Sequence, residues 1–147
     1  MPSLALTGIE VFQGNLKGAT LLAGAANTVL WTNGLVGCVA VCGYNGATAF
    51  MIHSDSTGTG GIGATDLITG IRRLVGGIGT GGGWTVTLVG GSIPGVKRYL
   101  QTAGNLPDAA FAEGDDTDAA YITWNGHAAS SRAKLALQLG VDSVTVQ

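Results

Sequence analysis

The stretch "CVAVCGYNGATAFMIH" (residues 38–53) sets the organisation of this chain. Two apolar runs, "CVAVCGY" (38–44) and "ATAFMIH" (47–53), flank Asn45-Gly46. Asn-Gly between apolar runs is the strongest short-range signal for a hairpin with a two-residue turn. If Asn45 and Gly46 are the two turn residues, Tyr44 pairs with Ala47. Counting outward then sets Cys38 directly opposite His53, with Cβ atoms about 5 Å apart. A strand alternates its side chains, so Cys38 and Cys42 share one face and Val39 and Val41 the other.

Upstream, "LALTGIEVF" (4–12) and "TVLWT" (28–32) read as strands, and 16–27 as an irregular segment. Downstream, "ATDLITGIRRLVGG" (64–77) places Leu67, Ile68, Ile71, Leu74 and Val75 at helical spacing, with Arg72 and Arg73 turned outward. "WTVTLVG" (84–90) alternates as a strand. "PGVKRYLQTAG" (94–104) has proline near its start and glycine at its end, as a helix should. The acidic stretch 107–118 reads as an exposed loop, "AAYITWN" (119–125) as a strand, "SSRAKLALQLG" (130–140) as a capped helix, and "VDSVTVQ" (141–147) as a final strand. The implied class is α+β: a mixed β-sheet or sandwich with two or three packed helices.

A length of 147 residues implies one domain, 1–147. Such a domain buries roughly 70% of the surface its unfolded chain exposes, so it needs neither disulfide nor metal. Charged residues make up 11% of the chain, against about 25% in ordinary domains. Low charge and many small residues point to packed surfaces, though they do not set an oligomeric state. The net charge of −2 and the lack of a basic stripe exclude a nucleic-acid partner. No apolar run reaches the length of a membrane span. "MPSLALTGIEVF" lacks the basic and long apolar regions of a secretory signal. Cys38 and Cys42 would lie about 13 Å apart along a strand, too far to bridge. Free thiols fit a reducing compartment. With no second cysteine pair, no metal site is expected.

Two glycine runs, 58–63 and 77–82, match the dinucleotide-binding spacing. The first lacks the acidic residue that should end the next strand, and the second follows a helix instead of a strand. In a chain with 26 glycines such matches arise by chance, so no nucleotide cofactor is expected.

The cysteines differ in setting. Cys42 lies mid-strand among apolar residues and reads as packing. Cys38 follows "NGLVG", where a turn exposes the thiol and Gly37 allows close backbone approach. A thiol nucleophile needs a base and a group to orient that base. His53 is the base by the hairpin count, whereas His127 reads as a solvated loop histidine. Thr32 and Asp55 are both candidates to orient the ring. The acidic loop 113–118 reads as solvated.

The segment "VLWTNGLVGCVAVCGYN" (29–45) resembles the signature of the CheD chemoreceptor glutamine deamidases: a Thr, a turn bearing the Cys, an apolar strand, then a His on the next strand. "LVGC" (35–38) is also similar to the Leu-Ser-Gly-Cys motif of the cytotoxic necrotizing factor and Burkholderia lethal factor toxins. The likeness is densest over 28–54 and extends loosely to "VTLVGGS" (86–92). Gly37 differs from the CheD serine, Val36 from the toxins' serine, and Ile52 from the usual CheD asparagine. The resemblance implies a CheD-like α+β fold and hydrolysis of a glutamine side chain on a protein partner. Cys38 would be the nucleophile, His53 the base and Thr32 its orienting group, with the Gly37 and Cys38 amides around the oxyanion. It implies no cofactor. It implies a bacterial or phage protein, cytoplasmic or exported without an N-terminal signal. A small-amide hydrolase with the same pair, or a silent CheD-like binding module, are the alternatives.

Overall fold

The structure, a computed structural model, describes residues 2–55, 66–79, 83–113 and 118–147. In chain order it forms β1 (Ser3–Glu10), β2 (Ala19–Leu22), β3 (Thr28–Asn33), β4 (Val39–Tyr44), β5 (Thr48–Ser54), α1 (Leu67–Val75), β6 (Thr85–Gly90) and α2 (Ile93–Gly104). A 3-10 turn (Asp108–Ala110), β7 (Phe111–Glu113), β8 (Ala119–Thr123), β9 (Ala128–Ala129), α3 (Arg132–Leu139) and β10 (Ser143–Val146) follow. The class is α+β.

The strands make two mixed sheets, ordered β10-β1-β3-β8-β9 and β2-β5-β4-β6-β7. Alternation along the central strands sorts the apolar side chains into layers. Val39 and Val41 of β4, with Phe50 and Ile52 of β5, pack against Leu67, Ile68 and Ile71 of α1 and Val96 and Leu100 of α2. Ala40 and Cys42, with Ala49 and Met51, face the first sheet and meet Leu30 of β3 and Ala120 and Ile122 of β8. On the far side of the first sheet, Leu6 and Val29 pack under Leu135 and Ala136 of α3. The layers therefore run helix, sheet, sheet, helix pair. Strands covered on both faces need apolar residues throughout, which is why β4 and β5 read as unbroken apolar runs.

The helices start and stop where their end residues direct. Asp66 caps α1 by accepting from Thr69 N at 2.9 Å, and hydrogen bonds from the Thr69 side chain and then its backbone hold the carboxyl below its usual range. Ser131 caps α3 through Lys134 N, and Gly140 ends it in the left-handed region. Arg72 and Arg73 point outward as expected.

Three expectations need correction. The segment 16–27 contains a strand, β2, on the sheet edge against β5. Of its four residues only Leu21 is buried, so it carries too little pattern to be read alone. The acidic stretch 107–118 contains β7, which pairs with β6 and packs Phe111 against the helical core beneath Lys97. The third concerns the hairpin. Asn45 N donates to Thr48 O, so the two turn residues are Gly46 and Ala47, one position later than expected. The Asn45 side chain holds this turn from its first position, accepting from Ala47 N at 3.0 Å and Thr48 N at 2.8 Å. Gly46 takes a positive φ of 94°. The register consequently pairs Ala40 with His53 and Val39 with Ser54. Cys38 is not directly opposite His53. The glycine run 58–63, and residues 80–82 of the second run, lie outside the described residues.

No helix among the described residues is long and apolar enough to cross a membrane.

Gly43 lies across from Phe50, whose ring covers it and meets Trp84 edge to face at 5.4 Å. A Cβ on Gly43 would sit 2.1 Å from that ring. Gly43→Ala is therefore expected to destabilise the protein by about 1–3 kcal/mol through overpacking. Urea unfolding measures this, and an unchanged midpoint contradicts the packing described.

Candidate active site

The site lies where the two sheets meet beside the hairpin's open end. Thr32, on β3, and His53, on β5, belong to different sheets yet join across the gap. Thr32 Oγ1 lies 2.8 Å from His53 Nδ1 and 2.7 Å from Val11 O. A carbonyl only accepts, so the single hydroxyl hydrogen goes to Val11. Thr32 must then accept from His53, which puts the proton on Nδ1. The other nitrogen, Nε2, keeps its lone pair. It is buried and has no hydrogen-bond partner among the described residues. Thr32, not Asp55, is thus the group that orients the ring.

The chain after β1 ties the two sheets together here. Val11 N donates to Trp31 O of β3, and three residues later Gly14 N donates to His53 O of β5. The carbonyl that fixes Thr32 is therefore itself fixed.

Cys38 sits at the end of a tight turn, one residue before β4. Leu35 anchors this turn with a fully buried side chain in the inter-sheet core. Leu35 N donates to the side chain and the carbonyl of Asp118, at 3.1 and 3.2 Å. Leu35 O accepts from Cys38 N at 3.2 Å and from Gly91 N at 2.9 Å. Gly91 must be glycine for this approach, since a Cβ there would lie 1.8 Å from Val36 O. Val36, at the tip, is 81% exposed. The Cys38 amide is engaged within the turn and is not available to an oxyanion in this conformation. The exposed Gly37 amide makes no hydrogen bond among the described residues.

Cys38 packs against the inter-sheet cluster that holds Ala40 and Cys42, so it shares a face with them. His53 points into the same space. With Ala40 directly opposite His53, Cys38 is its diagonal neighbour, with Cα atoms about 7–8 Å apart and Cβ atoms somewhat closer. Both cysteines are free thiols.

Burial sets the resting protonation. It raises the Cys38 thiol above its ordinary value, and the negative charge of Asp55 raises it further. Full burial pushes Cys42 up to about 12. Burial lowers His53 below its ordinary value. Near neutral pH the pair therefore rests as thiol and neutral imidazole, not as a thiolate–imidazolium pair. Such a pair supports nucleophilic attack with simultaneous proton transfer to Nε2. His127, the other histidine, closes the turn after β8 through its backbone contacts with Thr123. No cluster of groups able to hold a metal occurs among the described residues.

The sequence matches no family model. No curated protein matches it either. The site includes partners not identified from the sequence. Asp118 reaches Leu35 across 83 residues of chain, a contact with no local signal. Gly90-Gly91 at a strand end is the one visible hint that another backbone comes close there.

Two outcomes test the imidazole. Nitrogen NMR of the folded protein at neutral pH is expected to show His53 protonated at Nδ1 and bare at Nε2. Thr32→Val leaves a buried N–H unpaired and is expected to cost about 1–3 kcal/mol, while Thr32→Ser keeps the bond and most of the stability. A histidine protonated at Nε2 in the wild type refutes the assignment.

A further outcome concerns pH. Because folding lowers the pKa of His53, the unfolded chain binds more protons between the folded value and the ordinary value near about 6.5. Stability is therefore full above that range and falls as pH drops through it. Denaturant midpoints from pH 8 downward should decline there in the wild type and less in His53→Gln.

Proposed function

We propose that this chain is a cysteine-dependent amide hydrolase that converts a glutamine side chain of a partner protein to glutamate and ammonia. One observation carries the reading. The inter-sheet bond from His53 Nδ1 to Thr32 leaves Nε2 as an unpartnered base on the face it shares with Cys38. The resemblance of residues 28–54 to the CheD-like deamidases supplies the substrate class.

The steps follow from the resting state. As the Cys38 sulfur attacks the amide carbon, Nε2 takes the thiol proton. The imidazolium keeps its Nδ1–H on Thr32, a neutral dipole backed by the Val11 carbonyl. The exposed Gly37 amide, with no hydrogen bond among the described residues, is the donor for the oxyanion, and losing such a donor costs about 10²–10³ in rate. The C–N bond then breaks, and the Nε2 proton leaves with the amine as ammonia. Water, deprotonated by His53, cleaves the thioester and restores the thiol. The target gains a carboxylate where it had a neutral amide, enough to switch a protein interface. No cofactor enters these steps.

Mass spectrometry of candidate partners tests the reading by the mass change of an amide becoming a carboxylate. Cys38→Ala is expected to lower that conversion by more than about 10³-fold while partner binding persists. Iodoacetamide should label Cys38 well before Cys42 in the folded protein. Conversion that survives Cys38→Ala overturns the assignment.

A further inference from the structure

The nucleophile's surroundings carry a charge that the reaction steps leave unused. The β4–β5 ladder ends at the pair Val39–Ser54. Continued by one antiparallel step, that register would set Asp55 opposite Cys38, on the face that Ala40 and His53 share. Asp55 is half-buried, and its charge is felt at the Cys38 thiol. On the other side of the turn Asp118, exposed, holds Leu35 N. From β6, Gly90 and Gly91 bring backbone alone. Of the other titratable groups on this face, His53 rests neutral and Cys42 stays a thiol, and Tyr44 packs on the same cluster. None of the chain's seven Lys and Arg residues, all among those described, acts appreciably on Cys38.

We infer that Asp55 makes the site selective for cationic substrates, so that the amide it takes is carried on a segment with Lys or Arg beside it. This rests on the amide-hydrolase reading above. A cation seated beside a half-buried carboxylate is enriched by the local field. The same cation offsets the carboxylate's opposition to losing the thiol proton, so the correct substrate eases its own attack. An acidic segment meets both Asp55 and Asp118 and is repelled.

Charged thiol reagents test this without requiring deamidation. Cys38 of the full chain is modified with trimethylammonioethyl and sulfonatoethyl methanethiosulfonate, each rate normalised to free cysteine and the site located by mass spectrometry. At low salt the cationic reagent should lead by roughly three- to tenfold. Most of that lead should vanish in about 1 M salt and in Asp55→Asn, and persist in Asp55→Glu. Neutral iodoacetamide should react faster with Asp55→Asn at the same pH, since its thiolate fraction rises. Equal normalised rates in the wild type, or a lead unchanged by Asp55→Asn, overturn the inference. Should Asp55→Asn not fold, the wild-type salt titration decides. Glutamine peptides flanked by Lys or by Glu then separate the two readings. Equal ammonia release from both overturns charge selection. No release from either, with the reagent preference intact, removes amide hydrolysis and leaves charge selection standing.

Discussion

A buried imidazole must have its polar atoms satisfied, and among the described residues His53 has only one of its two nitrogens paired. That single bond, to Thr32, organises this end of the molecule. It crosses from one sheet to the other, so it depends on both sheets being in register. It also depends on Val11, whose carbonyl takes the Thr32 proton and thereby decides which way the shared bond runs. Remove the carbonyl's hold and the hydroxyl is free to rotate; the ring could then carry its proton on either nitrogen. An uncompensated buried nitrogen opposes stability. Its retention at the rim of the inter-sheet core, beside a thiol, is the physical reason to read it as functional.

Much of this was legible from the sequence, because alternation along a strand is a strong constraint. The faces of Cys38, Cys42, Val39 and Val41 follow from a period of two once the strand is recognised. The site register did not follow, because it turns on which two residues occupy the loop. Asn-Gly commonly fills both central positions. Here Asn45 stands one place earlier and uses its side chain to hold the turn, and sequence alone does not separate these roles. A shift of one at the turn moves the ladder by two, which preserves every face and changes every partner. Thus His53 stayed on the correct side while its direct neighbour became Ala40 in place of Cys38.

The contacts that sequence reading did not reach are the distant ones. Asp118 belongs to a stretch that reads as solvated acid, yet its side chain clamps the turn carrying Cys38. Likewise β2 has one buried leucine and exists because β5 offers it an edge. Both are tertiary consequences of two sheets folding over each other. The low charge of the chain belongs to the same account. Each sheet is covered by the other sheet on one face and by helices on the other. Much of the chain therefore never meets water, and few charged residues are needed.

The two pKa directions at the site bear on how it must work. A cysteine and a histidine that attract one another as ions would show the thiol lowered and the imidazole raised. Here burial moves both the opposite way, and Asp55 adds to the displacement of Cys38. A neutral imidazole is a competent base, whereas one already protonated is not. A thiol held neutral is protected from oxidation and stray electrophiles, which attack the thiolate. The arrangement therefore keeps the pair quiet until something offsets the field around Cys38. Among the described residues the charge felt at the thiol is that of Asp55, and no cation offsets it. Under the proposed charge selection that offset comes with the substrate, and recognition and activation are then one event.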